Sequence, residues 1–189
     1  MVKDYDGADY PDAMVEPAAG FAGVPDGFQR LWTPHRIAYV EAGQTPPDAE
    51  CVFCTAPTLT DEQALIVHRG ELAYVLLNLF PYNSGHLLVV PYRHVGPYVD
   101  ATPDETAEIS ALTQTAMRTV STVSRPEGFN VGMNLGAAAG AGIAAHLHQH
   151  VVPRWAGDTN FLPIIGRTKA LPELLADTRT KLAEAWPTA

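Results

Sequence analysis

One segment of this 189-residue chain carries a complete set of helix signals, and it limits the folds open to everything around it. Thr102-Pro103-Asp104-Glu105 supplies an N-cap hydroxyl, a proline at the first helical position and a glutamate where a capping box needs one. Ile109, Leu112, Ala116, Val120 and Val123 then recur every three or four residues, so one apolar stripe runs along the helix until Arg125-Pro126-Glu127-Gly128 stops it. On either side the pattern is that of strands. Leu65-Ile66-Val67 and Leu72 to Phe80 read as a hairpin turning at His68-Arg69-Gly70-Glu71, and His86 to Pro91 resumes as a strand after the turn formers of Asn78 to Gly85. Beyond the helix, Phe129 to Leu135 and His146 to Pro153 read as strands joined by a flexible loop, Gly136 to Gly142, and Pro172 to Trp186 as a C-terminal helix. Strands, one long helix, then strands again describe an α+β domain; a doubly wound parallel sheet would alternate the two.

Composition bounds what such a domain can do. Twelve basic against 21 acidic residues leave a formal charge of −9, and 47% hydrophobic residues with three Trp, seven Tyr and six Phe are enough for one core. Wholesale disorder is excluded. The acidic balance argues against binding a nucleic-acid backbone, which needs clustered Lys and Arg, but not against a small phosphorylated ligand met by local donors. No apolar run approaches the roughly 20 residues that span a bilayer, and residues 1–20 lack a basic start followed by an apolar stretch, so a cytoplasmic location is expected. Asp4, Asp6, Asp9, Asp12, Glu16 and Asp26 face a single Lys3 in the first 29 residues. Residues 1–29 are therefore expected to form an acidic flexible arm, and residues 30–189 the folded catalytic domain.

Two clusters carry chemistry. The only cysteines form Cys51-Val52-Phe53-Cys54, a spacing that suggests a metal or a redox dithiol in a cytosolic chain. His146, His148 and His150 occupy alternate positions, which in a strand puts three imidazoles on one face, about 6.6 Å apart, with Leu147, Gln149 and Val151 on the other. Two chemistries fit: three ligands for one catalytic metal, or a nucleophilic imidazole attacking phosphorus with its neighbours orienting it. The Gly/Ala loop before the strand lets backbone N–H groups approach phosphates, and Asn130 and Asn134 lie just upstream as neutral donors. Phosphate chemistry is favoured.

Asn78-Leu-Phe-Pro-Tyr-Asn-Ser-Gly-His-Leu-Leu-Val-Val-Pro91, Gly128-Phe-Asn-Val-Gly-Met-Asn-Leu-Gly136 and His146-Leu-His-Gln-His-Val-Val-Pro-Arg-Trp155 together resemble the histidine triad (HIT) family, over roughly Leu31 to Trp186. Gly157-Asp158-Thr159-Asn160-Phe161 resembles the bacterial branch that contains diadenosine tetraphosphate phosphorylases. The resemblance implies a HIT-like fold, an antiparallel five-stranded sheet with a long helix and a C-terminal helix, pairing into a dimer or a larger symmetric assembly. It implies that His148 is the nucleophile, that His150 contacts phosphate, and that the backbone at His146 holds the His148 ring in the right tautomer. Asn78 matches a ribose-binding position and Asn134 a position near the phosphates; Gly140, Ala141 and Gly142 would offer backbone amides, and Trp155 would stack on a base or shield the site. Many relatives carry a side-chain donor in the loop before the triad, where this chain has Ala139-Gly140-Ala141-Gly142-Ile143. His94 and His146 match zinc-binding positions of relatives that carry a cysteine pair, so a structural zinc on Cys51, Cys54, His94 and His146 is expected. Trp155 apart, the remaining candidates are plain: His86 reads as a structural strand histidine, and His35 and His68 as surface residues.

The activity so implied is cleavage of a dinucleoside polyphosphate through a nucleotidyl-histidine intermediate, resolved by water or by inorganic phosphate, with phosphorolysis favoured by the resemblance of the tail. Three alternatives stand beside it: a nucleoside phosphoramidate hydrolase, a non-catalytic nucleotide-binding module, and a metal-dependent hydrolase with the triad as zinc ligands.

Overall fold

Thr102 starts the long helix as its sequence requires. The computed structural model describes residues 51–158 and 171–187; the expected arm 1–29, the first part of the expected 30–189 domain, His35 and the segment after Asp158 lie outside the described residues. Within them, Val52–Thr55 forms a single helical turn (α1), Pro103–Ser124 the long helix (α2) and Leu175–Glu184 a C-terminal helix (α3). Thr102 Oγ1 accepts from the Glu105 N–H at 3.2 Å, and the Glu105 carboxylate accepts from the Thr102 N–H at 2.8 Å, closing the capping box. The helix ends at Arg125, whose left-handed backbone (φ 48°) turns the chain ahead of Pro126.

Ile66–Arg69 (β1), Ala73–Leu77 (β2), Leu87–Pro91 (β3), Gly128–Met133 (β4) and Gln149–Arg154 (β5) make one sheet in the order β1-β2-β3-β5-β4. Every pairing is antiparallel. The alternation of side chains divides this sheet into two faces. Val75, Leu77, Leu87, Val89, Leu147 and Val151 face one way and pack on Ile109, Leu112, Ala116 and Val120 of α2 and on Leu182 of α3. Each fully buried aliphatic side chain there contributes about 1.5–3 kcal/mol relative to an exposed one, so Val120→Asp would break the contact. Ile66, Tyr74, Leu76, Leu88 and Val90 face the other way, against Cys51, Phe53 and Ala56. That second face, away from the long helix, carries the site.

Several boundaries differ from those expected, each for a local reason. β2 stops at Leu77, short of Phe80, because Asn78 folds its side chain back and accepts the Phe80 N–H on Oδ1 at 3.0 Å. β1 continues through His68 and Arg69, which pair with Val75 and Tyr74 beyond a bulge, so the turn moves to Gly70–Leu72. There the Glu108 carboxylate of α2 accepts the N–H groups of Glu71 and Leu72. His68 is not a plain surface residue: it is half-buried and stacks on Trp186, ring centroids 4.8 Å apart. β5 begins at Gln149 and not at His146, since the Leu147 N–H bonds to Val95 O beyond the end of β3. α3 begins at Leu175, three residues after Pro172.

Candidate functional site

Cys51 and Cys54 sit at the two ends of the first helical turn, and two histidines from distant parts of the chain meet them. His146 Nδ1 lies 3.4 Å from Cys51 Sγ and 3.5 Å from Cys54 Sγ, and His94 Nδ1 lies 3.2 Å from Cys54 Sγ. The four candidate ligand atoms fall within 4.8 Å of one another, and neither cysteine is in a disulfide. His146 Nε2 donates to Pro91 O at 2.8 Å, so the lone pair of Nδ1 faces the sulfurs. His94 follows directly on Arg93, whose guanidinium is clamped on the Glu105 carboxylate of the capping box at 2.7–2.8 Å. These four residues could hold a metal ion, and they form the one such cluster among the described residues.

The other two histidines of the triad are turned elsewhere. His148 Nδ1 donates to His146 O at 2.8 Å, which leaves the lone pair on Nε2. The ring is 7% exposed and packs on Phe53 (5.0 Å) and, edge-on, on His150 (5.0 Å). Burial lowers its pKa from the usual 6.5, against a smaller opposing effect of the bond to His146 O, so the neutral ring is favoured. His150 receives a chain of hydrogen bonds. The Tyr82 N–H donates to His86 Nδ1 at 3.0 Å, so His86 carries its proton on Nε2 and donates to His150 Nδ1 at 2.9 Å. The proton of neutral His150 is thereby placed on Nε2. Tyr82 stacks on the His150 ring at 5.4 Å and 22°.

His86 is thus joined to the site by a hydrogen bond to His150, a contact that reading it as a strand histidine did not include. Its signal was in the sequence as parity: His86, Leu88 and Val90 alternate onto one face of β3, and Leu88 stands opposite His150 in the register. Gln149, on the reverse face, donates to Thr113 Oγ1 of α2 at 2.7 Å. The triad does not converge on one point. His146 is directed at the cysteines and His148 at a backbone carbonyl, an arrangement unlike three ligands around one ion.

His148 and His150 line a cavity of about 1080 Å³ together with Asn78, Asn134, Gly142, Tyr82 and the apolar side chains of Phe53, Ala56, Leu76 and Leu88. Gly140 and Ala141 are not part of this wall; their N–H groups turn back to Ala137 O and Gly136 O within the loop. Trp155 lies in a separate small hollow with Asn83, Ser124 and Asp158, its Nε1 donating to Ser124 O. Two arginines are paired with carboxylates, Arg93 with Glu105 and Arg154 with Asp158.

Residues 60–157 match the family model described as HIT domain. The chain is 52% identical over 170 residues to a Mycobacterium tuberculosis (strain ATCC 25618 / H37Rv) protein named AP-4-A phosphorylase, covering 87% of each. Among solved structures it is similar to a hypothetical histidine triad nucleotide-binding protein from Sulfolobus tokodaii strain 7, with 26% identity and a TM-score of 0.59 over 71% of this chain and 91% of that one. It is equally similar to a zinc-bound histidine triad family protein from Mycobacterium smegmatis, with 25% identity and a TM-score of 0.59 over 74% and 95% of the two chains.

Proposed function

The chain belongs to the HIT family, and from that premise we propose that it cleaves dinucleoside polyphosphates, of the diadenosine tetraphosphate kind, by two displacements at phosphorus. One observation carries the reading: His148 Nδ1 is committed to a backbone carbonyl, so the lone pair of a neutral imidazole is left on Nε2, in a residue that lines the cavity. Nε2 attacks the α-phosphorus; the new P–N bond forms as the P–O bond to the departing nucleotide breaks. In the second step an oxygen of inorganic phosphate attacks the same phosphorus, and the P–N bond breaks to regenerate His148. With diadenosine tetraphosphate the products are ATP from the first step and ADP from the second. His150, its proton held on Nε2 by His86, donates to a phosphate oxygen. Asn78 takes the ribose, and Asn134 and the amide of Gly142 take phosphate oxygens. The name of the mycobacterial relative supports phosphate over water as the second acceptor.

For the metal we propose zinc. With Zn–S near 2.3 Å and Zn–N near 2.0–2.1 Å, sulfur and nitrogen at two corners of a tetrahedron lie about 3.5 Å apart, which the observed 3.2–3.5 Å between sulfurs and imidazole nitrogens fits. A bound zinc supplies cohesion there, tying α1, the end of β3 and the approach to β5 together. His146 is one of its ligands and its carbonyl orients His148, so the metal acts on the nucleophile through one residue. Thiols kept free of a disulfide suit a reducing compartment, and we place the protein in the cytoplasm; no helix among the described residues is long and apolar enough to cross a membrane.

We further propose a homodimer joined along β4. Among the described residues this strand pairs with β5 on one side only, and Val131 stands 45% exposed on it. Val131→Lys should convert the dimer to a monomer in analytical ultracentrifugation; an unchanged sedimentation coefficient would place the interface elsewhere.

The reaction is tested by incubating the protein with diadenosine tetraphosphate with and without inorganic phosphate and weighing the products by mass spectrometry. ADP and ATP formed only with phosphate establish phosphorolysis. No reaction in either condition, with AMP still bound, overturns the proposal.

A further inference from the structure

The wall of the cavity is of two kinds. Phe53, Ala56, Leu76 and Leu88 are buried and make an enclosed apolar lining. Leu79 and Phe80, from the loop after β2, line the same cavity and yet are 62% and 75% exposed, and Tyr82 beside them is partly open as well. Large apolar side chains gathered at the mouth of a pocket mark a surface that something else covers. The segment that presents them is tied down at both ends: the Phe80 N–H is held by Asn78 Oδ1, and the Tyr82 N–H by His86 Nδ1, a member of the site. The cavity, at about 1080 Å³, lies just above the roughly 300–1,000 Å³ with which pockets enclose one drug-sized ligand. A single nucleoside monophosphate does not fill it.

Two displacements ask two different things of these walls. The nucleotide that stays on His148 through both steps gains from enclosure. The nucleotide that leaves after the first step needs a surface that holds its base in the substrate and releases it once the P–O bond is broken. An exposed aromatic ring meets the second need, because one face of the base is stacked while the other stays in water.

We propose that Phe80 is the docking platform for the base of the departing nucleotide, and so sets the preference for dinucleoside over mononucleoside polyphosphates. This rests on the two-displacement reading above. Stacking on a ring face is tolerant of base identity, so the departing base is held with little selectivity.

The test compares kcat/KM for diadenosine tetraphosphate with that for adenosine 5′-tetraphosphate, which has the same polyphosphate chain and lacks the second nucleoside. Wild type, Phe80→Ala and Phe80→Trp are measured. The ratio of the two values is expected to fall about tenfold in Phe80→Ala, as for the loss of one base–aromatic stack, and to return in Phe80→Trp. A ratio that does not change overturns the proposal, whether both substrates lose equally or neither does: the ring then serves the retained nucleotide or no substrate. If the wild-type protein turns over neither compound, the two-displacement reading itself fails and this proposal falls with it; wild-type turnover with an unchanged ratio removes the Phe80 assignment alone.

Discussion

Glu105→Gln separates the charge of the capping box from its shape. The Glu105 carboxylate is 5% exposed and accepts from Arg93 Nε at 2.8 Å, Arg93 Nη2 at 2.7 Å and the Thr102 N–H at 2.8 Å. The bonds from Arg93, then that from Thr102, hold its pKa at about 2, below the ordinary 4.5, although burial acts the other way. A folded-state pKa below the unfolded value means that ionised Glu105 stabilises the fold above about pH 4.5, and that this stability is lost as the pH falls toward 2. The difference 4.5 − 2 corresponds to about 3.4 kcal/mol, at 1.36 kcal/mol for each tenfold change in proton affinity. Arg93 is 48% exposed, and solvent screening reduces the expected contribution to about 2 kcal/mol. Glutamine keeps the size of the side chain and one acceptor oxygen for the Thr102 N–H and Arg93 Nη2, but its NH2 replaces the oxygen that accepts from Arg93 Nε, so the variant loses the charge and that bond together. Urea unfolding of wild type and variant, at one protein concentration and across the pH range, should show a deficit of about 2 kcal/mol near pH 7 that falls to less than half by about pH 3. A deficit of the same size at both ends of that range would refute the electrostatic account, and no deficit at neutral pH would mean that the Arg93 clamp contributes nothing to stability.

His148→Ala should abolish product formation while keeping its full metal content by elemental analysis; loss of one metal equivalent would restore the reading in which the triad ligates a single ion. Cys51→Ala should lose zinc and melt at a lower temperature, and retention of a full equivalent would remove the proposed site. His86→Phe keeps the ring volume and removes both the acceptor for Tyr82 and the donor to His150, so kcat should fall by about tenfold or more with AMP affinity little changed. An unaltered kcat would show that the His150 tautomer does not depend on His86.

What the sequence made legible is what is written within a few residues. The capping box and the apolar stripe of α2 are local patterns, and each has the role in the fold that its spacing requires; the alternate histidines are local too, but only His150 lies within β5. The cysteine pair is also local, but its completion by His94 and His146 spans 40 and more than 90 residues, and the resemblance to known relatives supplied that link where spacing could not. The strand ends were harder, because they are decided by single side chains reaching across: Asn78 ends β2 with its own carbonyl oxygen, and Glu108 takes the backbone of the β1–β2 turn from a helix 36 residues away.

The hydrogen-bond chain through His86 was out of reach for a stronger reason. His86 and His150 are 64 residues apart, and whether they meet depends on the β3–β5 register, in which Leu88 faces His150. A slip of one residue would put His86 on the α2 face among Val89 and Val151, away from His150. Leu87, Val89 and Val151 fix that register by burying their side chains against the long helix. The helix legible at the outset thus determines, through the face it covers, which imidazole meets His150 on the other side of the sheet.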